Sequence, residues 1–239
     1  HDAQGRRLDI VQFHPAYHQL MQTSIAEGLH ASVWSPHPAG PGDAPSPGQA
    51  TRPGAQVARA GAFYMAAQME AGHCCPVTMT NAAAATLRLA PGLAKTWLPK
   101  LLTRSYDSAF RPATEKAGVT IGMGMTEKQG GTDVRANTTM AEPTGEGAYR
   151  ITGHKWFMSA PMSDAFLILA QAKGGLSCFF LPRFRPDDSV NAIHLQRLKD
   201  KLGNRSNASS EAEFHGAHAW LVGEEGRGVA SIIEMVTAT

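Results

Sequence analysis

The chain has 239 residues, enough for two domains or one large one. Its composition, 43% hydrophobic and 18% charged, fits a soluble globular protein and excludes wholesale disorder, and a net charge of +2 is too small to imply nucleic-acid binding by itself. Three cysteines, two of them adjacent at Cys74 and Cys75, give neither a disulfide framework nor a C-x-x-C metal pair, which fits a reducing compartment such as the cytoplasm.

The first residues, His1-Asp-Ala-Gln-Gly-Arg-Arg, lack an apolar signal core and a Met, so the chain is expected to begin inside a longer protein. No apolar run reaches eighteen residues, and no membrane-spanning helix is expected. Residues 9–33 carry Ile10, Phe13, Tyr17, Leu20, Met21, Ile25 and Leu29 at helical spacing. His14 and His18 stand four apart, a spacing that can hold a metal, but Pro15 intervenes and no Glu completes an H-E-x-x-H frame. They read as helix-start or surface histidines.

Residues 35–54 are mostly Pro, Gly, Ser and Ala and cannot build a core, so a long mobile loop is expected there. Helical patterns resume at 55–72, at 76–90 behind Pro76, and at about 91–105 behind Pro91. The Ala- and Thr-rich third run should be deeply buried. These runs predict an all-helical N-terminal domain over 1–117. From Val119 the period changes to two, with candidate strands at 119–126, 135–142, 148–158, 165–172, 176–183, 192–199 and 210–221. Turns are expected at Gly145-Glu-Gly147 and Gly174-Gly175. Phe166–Leu169 and Cys178–Leu181 are wholly apolar and should be central. Seven short strands over 118–222 suggest an antiparallel barrel or two packed sheets. Residues 223–239 turn helical again, through Val229, Ile232, Ile233 and Val236, and stop within an amphipathic stretch, as the start of a further helical domain.

Two stretches carry the chemistry. The first is Gly122-Met-Gly-Met-Thr-Glu-Lys-Gln-Gly-Gly-Thr-Asp-Val134. Gly130 and Gly131 can take positive φ and let backbone N–H groups converge on one acceptor, and Thr126 and Thr132 add hydroxyls. Such a loop suits a polar, partly anionic ligand. The second is Gly153-His-Lys-Trp-Phe-Met-Ser159, where strict alternation would point Trp156 and Met158 one way and Phe157 and Ser159 the other. Lys199, Lys201 and Arg205, in the polar run 199–210, read as loop charges with possible subunit contacts. No Ser-His-Asp pattern, P-loop or zinc spacing competes.

Together with the run Leu198-Lys-Asp-Lys-Leu-Gly-Asn-Arg-Ser-Asn-Ala-Ser-Ser-Glu211, these stretches resemble the acyl-CoA dehydrogenase flavoprotein family, in its AidB-like (adaptive alkylation-response) branch. The resemblance runs from His14 nearly to the C-terminus. It implies an α+β multidomain architecture: an N-terminal helical domain, an antiparallel middle β domain that binds FAD, and a C-terminal helical domain of which only the beginning is present. By position it assigns FAD contacts to Met123, Gly124, Met125, Thr126, Glu127, Lys128, Gln129, Gly130, Gly131 and Thr132, and to Phe157, Met158 and Ser159. Thr126 would face the pyrimidine side of the isoalloxazine and Thr132 the pyrophosphate. Met158 departs from the aromatic expected there. The family's catalytic carboxylate is expected in the missing C-terminal part, so no catalytic residue is assigned.

The resemblance implies a flavin oxidoreductase acting on CH–CH groups of an acyl-CoA-like donor, with a homotetramer expected for the full-length protein. The alternative is a DNA-binding, DNA-protecting flavoprotein of the alkylation response with little turnover, whose basic surface lies in the C-terminal domain. A flavin absorbance band, acyl-CoA turnover and a salt-dependent DNA shift separate these readings.

Overall fold

The computed structural model describes residues 1–34 and 53–239. Among these residues, five α-helices and seven strands occur in the order α1 (Pro15–Ala26), α2 (Ala55–Met69), α3 (Cys74–Leu87), α4 (Pro91–Leu101), β1 (Ile121–Gly124), β2 (Met140–Gly145), β3 (Ala148–Ser159), β4 (Ala165–Ala172), β5 (Gly175–Pro182), β6 (Ile193–Leu198), β7 (Ser209–Val222) and α5 (Gly228–Ala238). The expected sequence of a helical region followed by a mostly antiparallel β domain is what the chain adopts. Apart from Pro53 and Gly54, the loop expected at 35–54 lies outside the described residues. No helix among them is long and apolar enough to cross a membrane.

Two helix starts follow prolines, whereas α3 begins at Cys74, two residues ahead of the expected Pro76. Pro15 and Pro91 occupy first-turn positions, where a missing N–H costs nothing. His14 caps α1, its Nδ1 accepting from the Ala16 N–H at 3.2 Å, and His18 Nδ1 bonds the Tyr106 hydroxyl at 2.9 Å. The two histidines are therefore spent on capping and packing. The helix pattern read over 9–33 is realised only as α1, because Pro15 fixes its start and Gly28, at φ 75°, turns the chain after it. Helix α3 is the axis of the helical part. Val77, Thr80, Ala82, Ala83, Ala84 and Leu87 are fully buried, and such small side chains let α4, α5 and β1 approach closely. Thr80 Oγ1 accepts from the Ile121 N–H at 3.1 Å, tying α3 to the first strand.

The seven strands form one sheet ordered β1-β3-β2-β4-β5-β7-β6, with further pairings of β1 with β4 and β3 with β7. The added pairings close a ring, β1–β4–β5–β7–β3–β1, so the sheet curls into a barrel. It is antiparallel except where β1 and the start of β2 run parallel to β4. The turns expected at 145–147 and 174–175 join β2 to β3 and β4 to β5, the first with positive φ at Gly145, Glu146 and Gly147.

Alternation on β4 and β5 divides the core in two. Leu167, Leu169, Cys178 and Phe180 face the helices, with Met79, Leu101 and Ile232. Phe166, Ile168, Phe179 and Leu181 face the barrel interior, with Ile151 and Phe214. Each such fully buried side chain is worth about 1.5–3 kcal/mol relative to exposure.

One strand differs from expectation. Residues 135–142 do not form a continuous strand. A 3-10 turn occupies Val134–Ala136, capped by Asp133 on the Arg135 N–H, and the strand begins at Met140. The backbone between them is spent on Glu127, whose carboxylate accepts from Thr138 N–H at 2.6 Å, Thr138 Oγ1 at 3.0 Å and Thr139 N–H at 3.2 Å. Lys155 completes this cluster with Nζ at 2.7 Å, and both side chains of the pair are 0% exposed. Replacing Glu127 with Gln leaves Lys155 buried without a counter-charge. The expected loss is about 3–5 kcal/mol by denaturant unfolding. The double variant Glu127→Met/Lys155→Met should lose less than E127Q alone.

Candidate cofactor site

The loop after β1 and the end of β3 are brought together by the barrel. Met123 pairs with Ser159 and Gly124 with Met158, and the Trp156 N–H donates to Thr126 O at 2.8 Å. Lys128 N–H donates to His154 Nε2 at 3.1 Å, and Asn137 Nδ2 holds Met125 O at 2.9 Å. The loop is thus pinned at Met125, Thr126 and Lys128. Beyond Lys128, Gly130 and Gly131 play different parts. Gly130 takes φ 122°, while Gly131 is a close-approach position where a Cβ would stand 2.8 Å from Thr126 Oγ1.

The sequence-assigned residues fall into two groups. Met123, Met125 and Thr126 are half-buried, Gly131 and Thr132 are exposed, Ser159 is half-buried and Phe157 is 42% exposed, so each keeps some surface to offer a ligand. The hydroxyls of Thr126, Thr132 and Ser159, and the N–H groups of Gly131 and Thr132, have no hydrogen-bond partner among the described residues. Lys128 and Gln129 are exposed at the rim, with the Gln129 amide on Asn137 Oδ1 at 3.1 Å.

Three assigned residues turn inward instead. Glu127 is wholly occupied by Lys155, Thr138 and Thr139, so its carboxylate has no surface to offer. Gly124 is buried against the side chains of Lys155 and Met158, and Met158 itself is 0% exposed inside the barrel.

The expected alternation on β3 fails at a bulge between Lys155 and Met158 in its pairing with β7. Lys155 and Met158 both point inward, while Trp156 is half-buried and Phe157 exposed. Trp156 and Phe157 thereby share Lys199, whose Nζ lies 3.2 Å from the Trp156 ring centroid and 4.7 Å from that of Phe157. Lys128 and Arg197 stand 5.7 and 5.8 Å from the same Trp156 ring. Lys199 also pairs with Glu211 at 2.6 Å. Lys201 donates to Asn207 O and Arg205 pairs with Asp200. Sequence reasoning missed the role of Lys155, although the parity of Ile151 and Gly153 on β3 already pointed its side chain inward. Lys199 carried no local signal, since its aromatic partners lie some forty residues away.

Against this geometry, the matches to known proteins define a class. Residues 1–108 match the adaptive response protein AidB N-terminal domain and residues 122–217 the acyl-CoA dehydrogenase middle domain, so the chain belongs to the acyl-CoA dehydrogenase family. Within that family it is similar to AidB of Escherichia coli (strain K12), with 53% identity over 236 residues, covering 98% of this chain and 41% of that protein. Acyl-CoA dehydrogenase family member 11 of Caenorhabditis elegans is 33% identical over the whole chain, which covers 38% of it. The crystal structure of C. elegans ACDH-11 in complex with C11-CoA superposes with TM-score 0.80 at 31% identity, over 99% of this chain and 39% of that one. The Bd2924 apo form gives TM-score 0.80 at 30% identity, over 99% of this chain and 45% of that one. The chain thus spans less than half the length of these relatives.

The buried pair under the loop makes stability pH-dependent. Burial alone would raise the Glu127 pKa, but Lys155 and the Thr139 and Thr138 hydrogen bonds outweigh it and hold it at about 2, against an ordinary 4.5. The unfolded chain therefore takes up the proton first as pH falls. The stabilisation is complete above about pH 4.5 and is lost on the way down to about 2. Acid unfolding followed by circular dichroism should show a drop on the order of 3 kcal/mol over that window, and E127Q should lack that share of the slope.

Proposed function

We propose that the chain holds FAD on the surface formed by the 122–132 loop and the end of β3, as part of an acyl-CoA dehydrogenase-type oxidoreductase. The observation that carries this reading is that the loop after β1 and the end of β3, held together by strand pairing, carry three unbonded hydroxyls and two unbonded N–H groups. Family membership and the likeness to AidB and ACDH-11 support it. When bound, FAD supplies two-electron redox chemistry at its isoalloxazine ring.

The chain's own residues bind and orient. The N–H groups of Gly131 and Thr132, beside the Thr132 hydroxyl, suit a pyrophosphate because donors there meet no competing acceptor. The hydroxyls of Thr126 and Ser159 suit the polar edge of a flavin ring, and Met123, Met125, Trp156 and Phe157 offer it apolar contact. Glu127 and Lys155 position the loop from beneath without touching the ligand. No residue here is assigned as the base for α-proton abstraction.

An acyl-CoA-like thioester is the proposed substrate class of the whole protein, supported by the C11-CoA bound to the C. elegans relative. Assembly as a homotetramer in the cytoplasm belongs to the same reading. The DNA-protective alternative gains nothing from the cations beside this site, where Arg197 and Lys199 are already engaged with Trp156, Phe157 and Glu211.

Titration of the chain with FAD, followed by flavin fluorescence, tests the site. Thr126→Val should weaken binding by about 1–2 kcal/mol, roughly 5- to 30-fold in Kd, with unchanged far-UV circular dichroism. Gly131→Ala should also weaken it, because the new methyl displaces the Thr126 hydroxyl. Wild-type affinity in both variants would remove this loop from the site.

A further inference from the structure

A second unexplained feature lies away from the proposed cofactor surface. A cavity of about 410 Å³ opens between the segment from Ile10 to Met21, the 106–111 loop, the 160–164 turn and the end of β5. Phe13, Tyr17, Met21, Phe110 and Phe184 supply an apolar wall, and Arg183, at the end of β5, forms part of the lining.

Arg183 is 2% exposed, and none of its three guanidinium nitrogens has a hydrogen-bond partner among the described residues. The Phe166 and Phe110 rings lie 5.1 and 5.9 Å from its central carbon. A ring offers a quadrupole to the cation but no lone pair to the five N–H donors. The neighbouring charges are already matched. Asp164 pairs with Lys116 at 2.6 Å and accepts from the Thr120 N–H at 2.8 Å. Asp107 pairs with Arg111 at 2.6 Å. Asp9, the other carboxylate whose field reaches Arg183, accepts from Arg7 at 2.7 Å and from the Leu195 N–H at 2.6 Å. One buried cation is left over beside a hollow with one apolar wall. Burying such a charge unpaired is strongly unfavourable, and a planar fork of donors is matched by a carboxylate.

We propose that this cavity is a binding site for a small monocarboxylate with an apolar, ring-sized body, its carboxylate taken by Arg183. A single negative charge follows from the single unmatched cation. A phosphate would bring charge that no second free cation balances, since Lys116 and Arg111 are paired. The apolar body follows from the wall, where Phe13 stacks on Tyr17 at 4.1 Å and Phe110 meets Phe184 at 4.9 Å. The site shares no side chain with the 122–132 loop, so its occupancy does not depend on the flavin reading.

The test is calorimetric titration of the 239-residue chain, without added flavin, using benzoate, benzyl alcohol and inorganic phosphate, with thermal unfolding run in parallel. Benzoate should bind saturably and raise Tm, while benzyl alcohol and phosphate should not. Arg183→Met should weaken benzoate by about tenfold or more, the usual worth of a charge-assisted pair. It should not lower Tm without ligand, because it removes an unmatched buried charge. Arg183→Lys keeps the charge but loses the fork, and should bind at an intermediate level; it also serves as the second variant if R183M does not fold. Absence of benzoate binding to the wild type, equal benzoate affinity in the variants, or preference for phosphate would each overturn the proposal.

Discussion

The Glu127–Lys155 pair sets the geometry of the 122–139 region. A carboxylate and an ammonium, both with fully buried side chains, are tolerated only if they pair and the carboxylate's remaining lone pairs are met. That demand recruits two backbone N–H groups and a hydroxyl from Thr138 and Thr139. The recruitment prevents a strand from starting at 135. It also fixes the point where the loop after β1 crosses β3. The open side of that loop, with its unbonded hydroxyls and N–H groups, is the outer face of a structure secured from within.

The bulge on β3 follows from the same constraint. Lys155 must point inward to reach Glu127, and the interior position after it is filled by Met158 rather than by residue 157. Two consecutive aromatics, Trp156 and Phe157, are left on the outside, where Lys199 covers both rings. The departure of Met158 from the aromatic expected there becomes intelligible. Its side chain fills the barrel interior among Ile151, Phe166 and Phe214, so what it has to offer a cofactor is backbone alone.

Much of this was legible in the sequence. Pro15 and Pro91 marked two helix starts, the change of period near Val119 marked the β domain, and the apolar runs of β4 and β5 marked strands buried on both faces. The two Gly- and aromatic-containing stretches were recognisable as a pair, and their approach in space followed from family resemblance. What escaped were effects of long-range pairing. Alternation assumes an unbroken ladder, and the bulge breaks it. The strand read at 135–142 had suitable alternation, but Glu127 outbid it for hydrogen bonds. The inward turn of Glu127 and the placing of Lys199 on Trp156 depend on contacts that no local window contains.

Strand β1 is only four residues long, yet it closes the barrel by pairing with β3 on one side and β4 on the other, and Thr80 of α3 bonds to its first residue. Those partners are not sequence neighbours, so loop closure must precede the reward of those contacts. The loop that follows hangs directly from this closing strand. Any molecule held there acts as a clasp on the ring. Its binding free energy adds to the cohesion of the whole barrel, and a weakly held cofactor and a loosely closed barrel become the same physical condition.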